Sequence, residues 1–175
     1  VNELPTATIS GNTELCLNAT APDITFTGTG GTAPYTFSYT INGGPILTVT
    51  STGSTATVSA PTGTAGTYVY ALVSVKESSS TTCSQAATGN ATVKVNPQPT
   101  ASFTAAGPYC KDKTVTFTPV GTVSSGTITS WVWDYGDGTG SHTLTTNAPF
   151  TVTYTTIGVK TATLKTVSDI KHRKL

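Results

Sequence analysis

Trp131-Val132-Trp133-Asp134-Tyr135-Gly136-Asp137-Gly138-Thr139-Gly140 holds both tryptophans of the chain and runs straight from them into a turn of Asp and Gly. On a β-strand, residues i and i+2 share a face, so Trp131 and Trp133 point one way and Val132 the other. Asp137-Gly138 after an aromatic run signals a hairpin, because Gly accepts positive φ and Asp tolerates it. Large apolar anchors beside a tight turn fix one corner of a small β-sandwich core. Trp131 and Trp133 are therefore expected as core residues, and nothing in the stretch has the make-up of an active site.

The rest of the chain agrees with a strand-built protein. Threonine dominates, with 41 among 175 residues, and 17 Gly and 10 Pro supply many turns. Thr and Val are β-branched and favour strands. No stretch carries a 3.6-residue apolar stripe over the ten or so residues that a helix needs. The fold class is all-β. Charged residues make up 10% and the net charge is +1, so neither a nucleic-acid footprint nor a field for acidic substrates is present. No apolar run is long enough to insert in a membrane. Val1 is not a start residue and Met does not occur, which reads as a piece of a longer chain. Low charge with abundant Thr, Ser and Gly suits an extracellular protein.

An internal repeat sets the domain boundary. Val1-Asn2-Glu3-Leu4-Pro5-Thr6-Ala7 and Val95-Asn96-Pro97-Gln98-Pro99-Thr100-Ala101 match at five of seven positions, and Cys16 and Cys110 share the same offset. A repeat of this length means tandem domains. The expected units are residues 1–96, with Val1-Asn2 as the tail of a preceding repeat, and residues 97–175. Asn96-Pro97-Gln98-Pro99 joins them as a short, semi-rigid linker, so these are two tandem immunoglobulin-like β-sandwiches.

In the first unit, Thr6–Ser10, Ile24–Thr27, Tyr35–Ile41, Pro45–Thr50, Thr55–Ser59, Thr67–Lys76 and Ala91–Val95 read as strands at sandwich spacing. Tyr68, just after Ala65-Gly66, resembles a tyrosine corner whose hydroxyl ties a loop to its strand. Gly28-Thr29-Gly30-Gly31 lacks the Lys and helix of a phosphate loop and reads as a turn.

In the second unit, Ser102–Thr104, Thr114–Thr118, Thr127–Asp134, Thr143–Thr145, Phe150–Tyr154 and Val159–Val167 read as strands. Trp131-Val132-Trp133-Asp134-Tyr135-Gly136-Asp137-Gly138-Thr139, Asn147-Ala148-Pro149, Tyr154-Thr155-Thr156-Ile157-Gly158 and Thr161-Ala162-Thr163-Leu164 resemble the signature of a PKD domain over residues 99–169. Departures are Tyr135 for Phe, the extra Ala148, and Lys160 where an aromatic is common. The family pattern implies one more strand after about residue 169. Ile170–Leu175 instead carries three of the nine Lys and Arg. That ending reads as a cut within the domain, as foreign sequence, or as a site filled by a donated β-strand at an open sheet edge. The first unit, with Pro5-Thr6-Ala7, Gly30–Tyr35 and Thr82-Cys83-Ser84, is similar to tandem repeats of Bacteroidota surface and gliding-motility adhesins. That resemblance implies export and display at the bacterial cell surface.

The remaining chemistry is sparse. Cys16 near the start of the first sandwich and Cys83 before its last strand are expected to form a disulfide worth about 4 kcal/mol, the alternative being two reduced thiols. Cys110 is expected as an unpaired thiol. No Cys pair has metal spacing, and His142 reads as solvated. Asp134 and Asp137 could offer oxygens to Ca²⁺, or could accept backbone N–H bonds and shape the turn. No nucleophile elbow or paired catalytic carboxylate exists, so the chain is read as non-enzymatic and no other cofactor is expected. The expected partners are neighbouring repeats of the same polypeptide and a surface glycan or protein ligand. Two functions follow: a structural and adhesive segment of a large exported protein, or an accessory PKD module of a secreted hydrolase.

Overall fold

The computed structural model describes residues 3–80 and 82–169, so the expectations on Val1-Asn2 and on residues 170–175 lie outside the described residues. The chain divides into two compact units, Val1–Asn96 and Pro97–Leu175. Among the described residues every regular element is a strand.

The first unit contains β1 (Thr6–Ser10), β2 (Thr13–Cys16), β3 (Asp23–Thr29), β4 (Thr36–Ile41), β5 (Leu47–Thr50), β6 (Thr55–Ser59), β7 (Gly66–Lys76), β8 (Ser84–Ala86) and β9 (Asn90–Asn96). One sheet has the order β1-β3-β6 and the other β2-β9-β7-β4-β5, with β8 also on β7. Pairing is antiparallel except between β2 and β9, where Thr13–Cys16 run parallel to Val93–Asn96. Alternation along β3, β4 and β9 sends Ile24, Phe26, Phe37, Tyr39, Val93 and Val95 into the space between the sheets. Phe26 stacks on Phe37 at 5.6 Å and meets Tyr39 at 5.0 Å. Side chains of this size each contribute roughly 1.5–3 kcal/mol by leaving water.

The alternation in β7 is not constant. Tyr70 and Leu72 are buried, and so is Val75, three residues on rather than two. A register shift against β4 between Ser38 and Tyr39 passes over Val73 and changes the inward set. A bulge of this kind adds one residue to one strand and re-aims those beyond it. It explains why both faces of this strand look apolar in the sequence.

The second unit contains β10 (Thr100–Ala106), β11 (Thr114–Thr122), β12 (Ile128–Asp134), β13 (Ser141–Leu144), β14 (Phe150–Thr153) and β15 (Thr163–Ser168). Its sheets have the orders β10-β11-β14 and β13-β12-β15. Trp133 stands opposite Leu164, the place that Tyr39 and Leu72 hold in the first unit. The core gathers Val115, Phe117, Trp131, Trp133 and Tyr135. Within this frame β10–β15 repeat the order and pairing of β1, β3, β4, β5, β6 and β7, and among the described residues β2, β8 and β9 have no counterpart strand. Among the described residues, β15 is an edge strand, whereas β7 is flanked by β9.

Two strands, β2 and β8, are shorter than the sequence pattern could reveal. The expected strand over Val159–Val167 begins instead at Thr163. In the first unit the matching residues Gly66–Val69 are held as strand by pairing with Thr92–Val95 of β9. Gly158–Thr161 have no such neighbour among the described residues, so their β-branched side chains do not make them a strand.

Candidate functional site

Trp133 is fully buried at the end of β12. The edges of its ring meet Phe103, Phe117 and Phe150 at centroid distances of 5.0, 5.6 and 5.0 Å. Edge-to-face contacts of this kind add about 0.5–1.5 kcal/mol beyond area burial. Trp131 exposes 4% of its surface, and its ring lies so close over Gly121 that a Cβ there would overlap it. Neither indole is available to stack on a sugar.

The turn beyond is organised by its carboxylates. Asp134 accepts the Gly136 N–H at 2.9 Å. Asp137 accepts both the N–H and the hydroxyl of Thr139, at 3.0 and 2.7 Å. The Thr139 hydroxyl and backbone hold the Asp137 carboxyl below the usual carboxylate range. The Thr139 hydroxyl also lies 2.7 Å from His142 Nε2, and the His142 ring stacks on Tyr135 at 4.6 Å. Gly136, at φ 68°, allows a close approach, since a Cβ would clash with the Thr161 backbone. Asp134 and Asp137 each commit an oxygen to their own turn. Among the described residues no three His, Cys, Asp or Glu side chains gather as a metal-binding group.

Residues 96–173 match the family model of the PKD domain. No curated protein matches the chain. Among solved structures, the fibronectin(III)-like modules of Clostridium thermocellum CbhA are similar at 16% identity over 94% of this chain and 87% of that chain, with a TM-score of 0.37.

The PKD unit also carries a cleft of about 570 Å³. It is lined by Phe103, Val115 and Phe117, by Tyr109–Lys111, and by Ile157, Gly158 and Lys160–Ala162. Lys160 Nζ donates to the Thr156 hydroxyl at 2.8 Å. The Tyr154 hydroxyl donates to the Tyr135 carbonyl at 2.9 Å and ties the cleft to the tryptophan corner. The Tyr109 hydroxyl donates to the Ala105 carbonyl at 2.6 Å.

In the first unit, the Tyr68 hydroxyl donates to the Thr64 carbonyl at 3.0 Å, across the turn that leads into β7. The expected Cys16–Cys83 disulfide is not formed. Cys16 stands opposite Asn96, next to Val95, which faces Gly66 at the start of β7. Cys83 precedes Ser84, which faces Lys76 at its end. Ten residues of strand separate the two ends by about 33 Å, whereas a bridge needs Cα atoms within about 7 Å. Cys110 lies exposed in an irregular turn and donates to the Pro108 carbonyl at 3.1 Å. Cys16, by contrast, is buried at the end of β2.

Glu77 was not singled out by the sequence. Its side chain is buried and accepts the N–H groups of Thr32 and Cys83 at 2.7 and 3.2 Å, together with the Ser79 hydroxyl. The Ser79 hydroxyl, then the Thr32 and Cys83 donors, pull its pKa down from 4.5 to about 2. Glu77 thus fastens the end of β7 to the Gly30-Gly31 turn. The only signal was an acid set between an apolar strand and a serine run.

Proposed function

We propose that the chain is a non-enzymatic segment of a large exported protein at a bacterial cell surface, extending and presenting binding regions as a rod of Ig-like repeats. The observation that carries this reading is the repeated opening, Pro5-Thr6-Ala7 and Pro99-Thr100-Ala101. Each copy leads into a β-sandwich of its own, and the units separate between Asn96 and Pro97. The PKD match supports a structural module, and so does the use of Asp134 and Asp137 as turn formers. The resemblance of the first unit to Bacteroidota adhesin repeats adds the surface location.

Small-angle scattering tests the extending role. The expected radius of gyration lies well above the ~16 Å of a single compact body of this length. A value near that figure would count against the rod. A pull-down on collagen and on a panel of glycans tests the presenting role, with no retention expected for these two units alone.

A further inference from the structure

Asn42 is the one asparagine of the chain that is followed by glycine. The pair turns β4 back toward β5, with Asn42 at φ 52° and Gly43 at φ 69°. The Gly44 N–H closes the turn on the Ile41 carbonyl at 3.0 Å. Positive φ at both central residues is the conformation that Asn-Gly fills most readily. The same two residues can also react with each other. Glycine has no side chain to shield its nitrogen, so that nitrogen can approach the carboxamide carbon of the asparagine before it.

The structure commits one of the two reacting groups elsewhere. Asn42 Oδ1 accepts the Val69 N–H at 2.7 Å, and Nδ2 donates to the Thr67 carbonyl at 3.1 Å. The Asn42 N–H adds a bond to the Val69 carbonyl at 2.9 Å. The carboxamide is therefore tied to the opening of β7. Gly43 stands in the open, since a Cβ there would meet nothing within 4 Å. Among the described residues no hydrogen bond occupies the Gly43 N–H. The nucleophile is free and the electrophile is tethered.

We propose that Asn42 is a self-modification site, deamidated by the Gly43 nitrogen when the tie to β7 opens. The Gly43 nitrogen gives its proton to solvent and bonds to Asn42 Cγ. The Cγ–Nδ2 bond breaks and ammonia leaves. Water then opens the cyclic imide at either carbonyl. Opening at Cγ yields aspartate, and opening at the former backbone carbonyl yields isoaspartate, with the main chain running through Cγ. The net change is one water taken up and one ammonia released, with no oxidation or reduction. The rate in the folded chain is the open-state rate scaled by the fraction of time that the tie is open. In either product an oxygen replaces the donor Nδ2 and faces the Thr67 carbonyl, an acceptor against an acceptor. Isoaspartate also lengthens the turn by one main-chain carbon. Modification thus loosens the opening of β7, beside the tie from Tyr68 to Thr64. The site does not depend on the extending role.

The test incubates the full chain at mildly alkaline pH, folded or unfolded in guanidinium, and follows aspartate and isoaspartate at each asparagine by peptide mapping. In the unfolded chain Asn42 is expected to convert before any other asparagine. In the folded chain its conversion is expected to be slower by about tenfold or more. Tyr68→Phe loosens the same corner without emptying the core, and should speed conversion in the folded chain severalfold. Asn42→Asp should speed amide exchange over Thr67–Val69. Equal rates in the folded and unfolded chain would overturn the inference, as would faster conversion at another asparagine. A Tyr68→Phe rate no higher than the parent's would overturn the tie as the gate. Unchanged exchange in Asn42→Asp would overturn the loosening of β7.

Discussion

The same corner is built twice, and differently. In the first unit Gly66-Thr67-Tyr68 opens β7, and the Tyr68 hydroxyl spans the turn to Thr64. In the PKD unit Gly158-Val159-Lys160 holds that place, and the Lys160 amine spans the turn to Thr156. The four-residue reach is kept, while the aromatic ring is replaced by a flexible chain. Regular strand then begins at Thr163 rather than at the glycine. Val159 and Thr161 favour strand at least as well as Thr67 and Val69. The difference teaches that a neighbouring strand, not local preference, decides where an edge becomes regular.

The largest effect that would sharpen this comparison is at the cores. Trp133→Ala should cost the PKD unit about 3–5 kcal/mol and leave the first unit's transition in place. Two separate transitions in a denaturant melt would show this, and a common loss of both would break the picture of independent cores.

An intermediate effect comes from acid. The Glu77 carboxyl titrates near 2 in the folded chain, below its ordinary 4.5. The folded state therefore binds fewer protons than the unfolded one between those values. Its contribution is complete above the ordinary value and is lost as pH falls toward 2. The first unit should melt at progressively lower temperature across that window. In Glu77→Gln the drop should be shallower, while the acid response of the PKD unit is unchanged. Equal slopes for Glu77→Gln and the parent would remove Glu77 from the account.

The smallest effects lie at the corner itself. Tyr68→Phe removes one hydroxyl bond and should cost the first unit about 1 kcal/mol. Lys160→Tyr should return a similar amount to the PKD unit, with a ring to cover part of the cleft. Opposite signs in the two unfolding curves are expected. A destabilised Lys160→Tyr would show that the two corners are not equivalent.

Much of this was legible in the residues. Period-two patterns placed the long strands, because alternate burial leaves its mark on side-chain type. The Trp-Asp-Tyr-Gly-Asp-Gly stretch declared its corner, because the tryptophans and the turn residues each have one economical use there. What stayed hidden was pairing. Nothing in Thr13–Cys16 announces a parallel neighbour 80 residues away. Nothing in Cys16 and Cys83 tells that β7 holds them at opposite ends. The Glu77 anchor was invisible for the same reason, since its donors come from Thr32, Ser79 and Cys83. The cleft was hidden too, since its lining comes from segments far apart in the chain.

The parallel pairing of β2 with β9 has one more consequence. These strands lie toward the two ends of the first unit, and Thr13–Cys16 run alongside Val93–Asn96 in one direction. The Leu17 N–H extends the ladder to the Asn96 carbonyl at 2.8 Å, and Glu14 bonds to both Lys94 and Asn96. Tension applied through the ends of that unit draws the two strands past each other along their length. Every rung is then loaded in shear at once, so none can break alone, and the unit yields only when the whole ladder fails together.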